Sequence, residues 1–106
     1  MKTIFTGRVT ADPVIRYNES DKPVAYFRIA IKDGKKDSYT NCTAWGGLAQ
    51  IIGEYICKGR LVAVEGVLDK HTYTDKKGKK CTWEEIRVDS LQMLDFKPGK
   101  TRPRRK

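Results

Sequence analysis

The sequence predicts an all-β domain, a five-stranded Greek-key barrel with one α-helix between the third and fourth strands. Two observations predict this fold. Most of the 106 residues fall into β-rich or alternating segments that end at turn signals, and one segment alone has the apolar spacing of a helix. The length is that of one domain with a single core. No apolar run reaches the roughly 20 residues of a membrane span.

The first strand is predicted over residues 3–11, which are rich in β-branched and aromatic types. It stops at Asp12-Pro13, a turn signal. Gly7, in the middle of this segment, predicts a bulge or a sharp bend of the kind that small barrels need. Extended structure resumes briefly over residues 14–17, and residues 18–23 form a loop.

The second and third strands are predicted from alternation over residues 24–32 and 38–45, with a turn at 33–37 between them. In the second strand one face carries Ala25, Phe27, Ile29 and Ile31. In the third strand Cys42 and Ala44 share one face, and the opposite face carries Tyr39, Asn41, Thr43 and Trp45. Polar residues between two rings make the latter face a poor core and a good binding surface.

The helix is predicted from Gly47 to Lys58. Its apolar residues follow the i, i+3, i+4, i+7, i+8 spacing of one helical face: Leu48, Ile51, Ile52, Tyr55 and Ile56. Lys58 is expected in the last turn, where it would favour the helix dipole, and Gly59 is expected as the C-terminal cap.

The last two strands are predicted as a long hairpin. Residues 60–73 form the fourth strand, 74–80 the lysine-rich tip and 81–94 the fifth strand, with Ile86 and Val88 facing inward. Short antiparallel strands with one helix at this position match the OB-fold, a Greek-key barrel.

The charge distribution divides the chain into two parts, a domain over residues 1–96 and a basic tail over 97–106. The net charge is +9, from 22 Lys and Arg against 13 Asp and Glu. The tail holds six of the 22 cations and no acid, so the remainder carries 16 against 13, or +3. With two prolines and a glycine, the tail is predicted to be disordered. Its expected targets are polyanions, nucleic acid or an acidic membrane surface; the alternative is a tail that only aids solubility.

Residues for catalysis or metal binding are few, so we predict no enzyme, no metal and no cofactor. His71 is the single histidine, and no Cys or carboxylate is spaced to act as its base partner. Cys42, Cys57, His71 and Cys81 contain no close ligand pair of the kind that marks zinc sites. Three cysteines without near neighbours favour free thiols in a reducing compartment, and without a secretory signal we expect a cytoplasmic protein.

Rings and cations together predict a surface for single-stranded nucleic acid. Every base can stack on an aromatic ring, and flexible lysine-rich loops can follow phosphates. The candidate stacking residues are Tyr39, Trp45, Tyr73 and Trp83. The candidate phosphate contacts are Arg8, Arg16, Arg28, Lys32, Lys35, Lys36, Lys70, Lys76, Lys77, Lys79 and Lys80. The alternative is that the rings only pack and that the lysines only aid solubility.

Six segments carry a more specific signal. They are Gly7 with Asp12-Pro13 and Arg16-Tyr17, Trp45-Gly46-Gly47-Leu48-Ala49, Glu54-Tyr55 with Lys58-Gly59, Val64-Glu65-Gly66-Val67-Leu68, Tyr73-Thr74-Asp75 with Gly78, and Leu91-Gln92-Met93-Leu94. In this order and spacing, from about residue 3 to residue 94, the chain resembles the bacterial single-stranded DNA-binding protein family.

The resemblance implies an OB-fold, assembled as a homotetramer or possible dimer, that coats and protects single-stranded DNA in replication, recombination or repair without sequence preference. It places the three base-stacking positions of the family on Tyr39, Trp45 and Tyr73. Alternatives are a primosome-type accessory OB protein, a protein-interaction OB module and a membrane-surface protein.

Two departures from the family pattern are visible. The loop at residues 32–36 lacks a family tryptophan, so binding there would be mainly electrostatic. The chain ends in a basic tail where the family usually carries an acidic tip, so recruitment of replication proteins through such a tip is not expected. A short form of this kind resembles those of phages, plasmids and other mobile elements.

Overall fold

A computed structural model describes residues 2–33 and 36–95, without the side chains of residues 32–33 and 36–37. Within these ranges the chain forms six strands and one helix. They are β1 Thr3–Val9, β2 Val14–Tyr17, β3 Pro23–Asp33, β4 Lys36–Trp45, α1 Gly46–Tyr55, β5 Leu61–Thr74 and β6 Lys80–Met93. The predicted tail over residues 97–106 lies outside the described residues.

The strands close into a ring. Their order is β1-β5-β6-β4-β3-β2, and β1 pairs in addition with β3. The five long strands therefore form the closed barrel, and β2, the segment predicted only as briefly extended, pairs along one edge of β3. The helix follows the third long strand and precedes the fourth. The prediction of an all-β barrel with one helix at this position is confirmed.

β1 joins the two sides of the barrel at Gly7. Its residues Thr3 to Arg8 pair with β5, and Arg8 and Val9 pair with β3. A Cβ atom on Gly7 would lie only 2.4 Å from the backbone oxygen of Ala30 on β3. Pairing with β5 is continuous through Gly7, so the glycine allows a close approach of two strands and does not form a bulge, one of the two predicted alternatives.

The bulge of the barrel lies instead between β5 and β6. Glu65 is opposite Ser90 while Gly66 is opposite Val88, so β6 contains one extra residue, Asp89. An extra residue reverses the alternation of the strand that carries it. Before the bulge the inward residues of β6 are Ile86 and Val88, as predicted. After the bulge the inward residue is Leu91.

The helix ends three residues earlier than predicted. Ile56 already has extended backbone, with φ −98° and ψ 133°, and its N–H donates the closing bond to Ile52. Lys58 therefore lies beyond the last turn, and Gly59 is not the cap. Tertiary contacts hold both residues: the Lys58 N–H donates to the Asp12 carboxylate at 2.9 Å, and the Gly59 N–H donates to the Val9 carbonyl at 2.7 Å.

The helix closes one opening of the barrel, packed against β2, β3 and β4. Ala49, Ile52 and the following Ile56 are buried, whereas Ile51, predicted on the same apolar face, is exposed. The first helical residue, Gly46, has φ +67°, a conformation that favours glycine. With ten residues, α1 is too short to cross a lipid bilayer, and no other helix occurs in the part of the chain that the structure describes.

The core lies inside the barrel and under the helix, and every strand except β2 contributes a fully buried residue to it. Its members are Val9, Ala25, Phe27, Ile29, Cys42, Ala44, Ala49, Ile52, Ile56, Val62, Val64, Ile86 and Val88. The predicted inward faces of the second and third long strands are confirmed.

Cys42 is expected to resist thiol reagents in the folded protein. Burial first, and then the nearby Glu85 carboxylate, raise the pKa of this thiol from 9.0 to about 12. Since the unfolded chain releases the thiol proton first, this group makes folding less stable as the pH rises between 9.0 and about 12. Iodoacetamide at pH 8.5, followed by peptide mass mapping, is expected to modify the exposed Cys57 and to reach Cys42 only in urea. Equal native labelling of the two would contradict this.

The β5–β6 hairpin projects beyond the core. From Leu68 onward the inward-parity positions of β5 are exposed, because the strands have passed the end of the barrel. The turn at its tip is held by Asp75, whose carboxylate accepts the backbone N–H groups of Lys77 and Lys79, both at 2.9 Å. The hairpin therefore forms a projecting arm, and the outer face of the sheet continues along it.

Candidate nucleic-acid interface

Four of the exposed rings on the outer face of the sheet define what we call the ring platform: Tyr39, Trp45, Tyr73 and Trp83. The exposed fraction is 60% for Tyr39, 44% for Trp45, 53% for Tyr73 and 44% for Trp83. Large exposed aromatic residues on one sheet face are costly to leave unpartnered and are typical of binding surfaces. The structure therefore turns the three rings indicated by the family resemblance, and Trp83, away from the core.

Strand register relates these rings to one another. β4 runs parallel to β6 with Asn41 opposite Glu85, so Tyr39 and Trp83 each lie two residues before that pair and on the same face. Trp45 lies six residues further along β4 than Tyr39, about 20 Å at roughly 3.3 Å per residue. The platform thus has rings at its two ends rather than in one cluster.

His71 belongs to this face, although the sequence indicated only an ordinary exposed side chain. It lies directly opposite Trp83 in the hairpin, with ring centroids 5.3 Å apart and planes inclined by 34°. Tyr73, the next outward residue of β5, is opposite Cys81. The sequence does contain a signal for His71. It lies two residues from Tyr73 on the same strand and therefore shares its face, and the other strand of the hairpin carries Trp83.

Three pairs of polar side chains lie between the ring positions. We call these six residues the polar floor: Arg28, Asn41, Thr43, Asp69, Glu85 and Arg87. The Arg87 Nε lies 2.5 Å from the Asp69 carboxylate, and the Thr43 hydroxyl donates to Glu85 at 2.6 Å. The Arg28 Nε–H donates to the Asn41 side-chain oxygen at 3.2 Å. Thr43, placed on this face by the sequence, is buried beneath the Glu85 side chain, of which only 13% is exposed.

Two residues of the polar floor, together with the neighbouring His71, form the one set of potential metal ligands found among the described residues. Asp69, His71 and Glu85 each offer a ligand atom, all within 4.8 Å of one another. The Arg87 guanidinium already neutralises the Asp69 carboxylate. The four zinc ligands considered from the sequence do not form such a set, since Cys42 lies on the core face of β4 and His71 on the outer face of β5.

The candidate cations are distributed over several surfaces. Arg28 lies on the polar floor, whereas Arg8 is held at the end of β1 by the Gly59 carbonyl at 2.9 Å and by Asp95 at 3.5 Å. Arg16 is exposed on β2. Lys70 pairs with Glu84 at 3.7 Å on the hairpin face opposite the rings.

The remaining lysines surround the two predicted hairpin tips. Lys76, Lys77 and Lys79 are exposed in the β5–β6 turn, and Lys80 begins β6 opposite Thr74. The side chains of Lys32 and Lys36, and the whole of Lys35, lie outside the described residues. The structure thus groups four of the eleven candidate cations at the end of the arm that carries Tyr73.

Comparison with known proteins decides the family. The model of the single-strand binding protein family matches residues 1–94 of the chain. The chain belongs to this family. The predicted resemblance is therefore confirmed over the whole barrel, and the matched residues include all four rings.

Individual members of the single-strand binding protein family match over most of the chain. A single-stranded DNA-binding protein 1 from Xylella fastidiosa is 39% identical over 91% of this chain and 78% of its own length. Single-stranded DNA-binding protein B from Bacillus subtilis is 30% identical, covering 92% of each chain. Against protein A of the same bacterium the identity is 29%, and this chain spans only 61% of that relative.

Three of the family motifs have a structural explanation in this member of the single-strand binding protein family. Asp12, of the Asp-Pro motif, and Lys58, of the Lys-Gly motif, are 46 positions apart in sequence and meet through a hydrogen bond. Gly66 lies where a Cβ atom would be 2.0 Å from the Arg87 backbone oxygen. These motifs therefore maintain the barrel that displays the rings, and are not themselves part of the ring platform.

Proposed function

We propose that this chain binds single-stranded DNA without reading a sequence code, and that it coats and protects exposed strands in replication, recombination or repair. The observation that carries the proposal is the ring platform, four exposed aromatic side chains on one face of a barrel of the single-strand binding protein family. The relatives named above are called single-stranded DNA-binding proteins. The family match does not favour the primosome-type or protein-interaction alternatives.

In the proposed mechanism Tyr39, Trp45 and Tyr73 stack bases and Trp83 adds a further ring. Stacking tolerates any base because each has a π-face, and it contributes on the order of 1–3 kcal/mol per base. A hydrogen bond with Cys81 is the main cause that raises the pKa of the Tyr73 phenol. The phenol of Tyr73 therefore stays neutral to a higher pH than that of an ordinary tyrosine.

The lysines at the hairpin tip and Arg28 are proposed as phosphate contacts, with Arg8, Arg16, Lys32, Lys35, Lys36 and Lys70 as the more distant or less defined candidates. We further propose that the basic residues of the 97–106 tail add contacts of the same kind. The function is binding without catalysis. We also propose a homo-oligomer, with a tetramer implied by the family and a dimer as the alternative, acting in the cytoplasm.

Tryptophan fluorescence tests the proposal, because Trp45 and Trp83 are both exposed on the platform. Oligo-dT is expected to quench the emission at low salt, and duplex DNA of equal length is expected to do so far more weakly. Each phosphate contact adds about 0.7 to the slope of log affinity against log salt. A chain lacking residues 97–106 should therefore show a flatter slope. Absence of oligo-dT binding at low salt would contradict the proposed function. An unchanged slope would show only that the tail does not contact DNA.

A further inference from the structure

We propose that the Asp69–Glu85 carboxylate pair of the polar floor contacts bases rather than phosphates, and that it favours bases that carry an exocyclic amino group. The inference rests on the proposed single-stranded DNA binding and adds a base preference to it. Asn41 and Thr43 lie between Tyr39 and Trp45 on β4, and a DNA strand that passes from Trp45 to Tyr73 on β5 crosses the floor.

The charges of the Asp69–Glu85 pair disfavour a phosphate directly above it. Asp69 and Glu85 are directly opposite each other on β5 and β6. One guanidinium, from Arg87, pairs with Asp69. Glu85 has the Thr43 hydroxyl at 2.6 Å and the His71 Nε2 at 3.7 Å, and His71 adds positive charge only when protonated. A phosphate placed over this pair would meet carboxylates, so the DNA backbone is expected to keep to Arg28 and the hairpin-tip lysines while the bases face the pair.

The hydrogen-bonding capacity of the floor is unequal. An ionised carboxylate only accepts hydrogen bonds. One Asp69 oxygen receives Arg87, and among the described residues the other has no hydrogen-bond partner, while 28% of the side chain remains exposed. The Nε–H groups of Arg28 and Arg87 donate to Asn41 and Asp69, and each guanidinium keeps further N–H groups. At Asp69 itself, the floor offers a base an open acceptor.

That open acceptor distinguishes cytosine from thymine. Cytosine presents an N4 amino donor and adenine an N6 amino donor, whereas thymine presents a carbonyl oxygen at the corresponding position. An amino group can donate to Asp69, but a thymine O4 would be repelled by it. Stacking on the rings remains available to every base, so the effect is a preference at one position within otherwise broad binding.

The test compares oligo-dC with oligo-dT of equal length on the full chain and on two carboxylate-to-amide variants. Asp69→Asn replaces the open acceptor with a group that can also donate. Glu84→Gln is the matched control, because it removes the same charge one residue from Glu85 but on the opposite hairpin face. We expect the ratio of oligo-dC to oligo-dT affinity to fall about two- to tenfold in Asp69→Asn, the range of one hydrogen bond, and to stay unchanged in Glu84→Gln.

A second probe needs no variant. An oligonucleotide of N4,N4-dimethylcytosine keeps the ring but lacks the amino donors, and it is expected to bind the unaltered chain about two- to tenfold more weakly than oligo-dC. That penalty should shrink in Asp69→Asn if the variant folds. Equal ratios in Asp69→Asn and the unaltered chain, or no penalty from dimethylation, would overturn the base contact while leaving the function intact. Failure of both oligo-dC and oligo-dT to bind would overturn the function itself.

Discussion

Tyr73→Ala is expected to weaken binding to oligo-dT between about fivefold and a hundredfold, the range seen when a base-stacking ring is removed. The ring is half exposed on the projecting arm and contributes nothing to the buried core. Its loss should therefore leave the barrel folded, so that the change in affinity measures the lost stacking. Fluorescence titration remains possible because both tryptophans are retained.

Tyr17→Ala is the matched control for this experiment. Tyr17 has an exposed fraction of 61%, close to that of Tyr73. It lies on β2 opposite Pro23, and by alternation its side chain is on the same face as Ile15, not on the outer face that carries the rings. Its replacement is expected to change oligo-dT affinity less than twofold, as surface substitutions generally do. If Tyr73→Ala also stayed within twofold, with an unchanged far-ultraviolet circular dichroism spectrum, Tyr73 would not be part of the ring platform.

Alternation made the barrel and the outward rings predictable. In the second and third long strands, polar residues interrupt one face and apolar residues fill the other. This pattern is expected of a sheet with one face on the core and the other exposed to solvent. The faces of Phe27 and Cys42 follow from it directly, as does the outward direction of Tyr39 and Trp45. The lysine-rich segment with its glycine at residues 74–80 likewise predicted the position of the β5–β6 turn to within one residue at each end.

The end of the helix could not be predicted from its own segment. Lys58 and Gly59 have the composition of a helical last turn and cap. Their backbone N–H groups are instead taken by Asp12 and Val9, which come from the other end of the domain. Tertiary hydrogen bonds therefore outweigh the local preference, and these contacts are visible only after β1 is placed beside the helix.

The polar floor was invisible in the sequence for a similar reason. Asp69 and Glu85 become neighbours only through the register of the hairpin, which the turn after Thr74 sets, since pairing is unbroken from that turn to Asp69. The lysines were all predicted as phosphate contacts. In the structure, Lys70 pairs with Glu84 on the hairpin face opposite the rings, whereas the lysines of the β5–β6 turn lie at the hairpin tip. Which cations meet DNA therefore stays a prediction.

Gly66→Ala is expected to lower the free energy of unfolding by about 3 kcal/mol or more, the upper part of the range for overpacking a filled interior. A Cβ atom there would lie 2.0 Å from the Arg87 backbone oxygen and 3.0 Å from the Val88 Cα. These are backbone atoms of the paired strand, so no side-chain rotation can relieve the contact. Urea denaturation followed by circular dichroism measures the loss.

Gly47→Ala separates this steric effect from the general consequence of replacing glycine by alanine. Gly47 lies in the first turn of α1, and a Cβ atom there would have nothing within 4 Å outside its own neighbourhood. Alanine in a helix is favoured over glycine by roughly 0.5–1 kcal/mol, so this variant should be as stable as the unaltered chain or slightly more so. Equal urea midpoints for the two variants would show that β5 and β6 do not approach as closely at the bulge as their register requires.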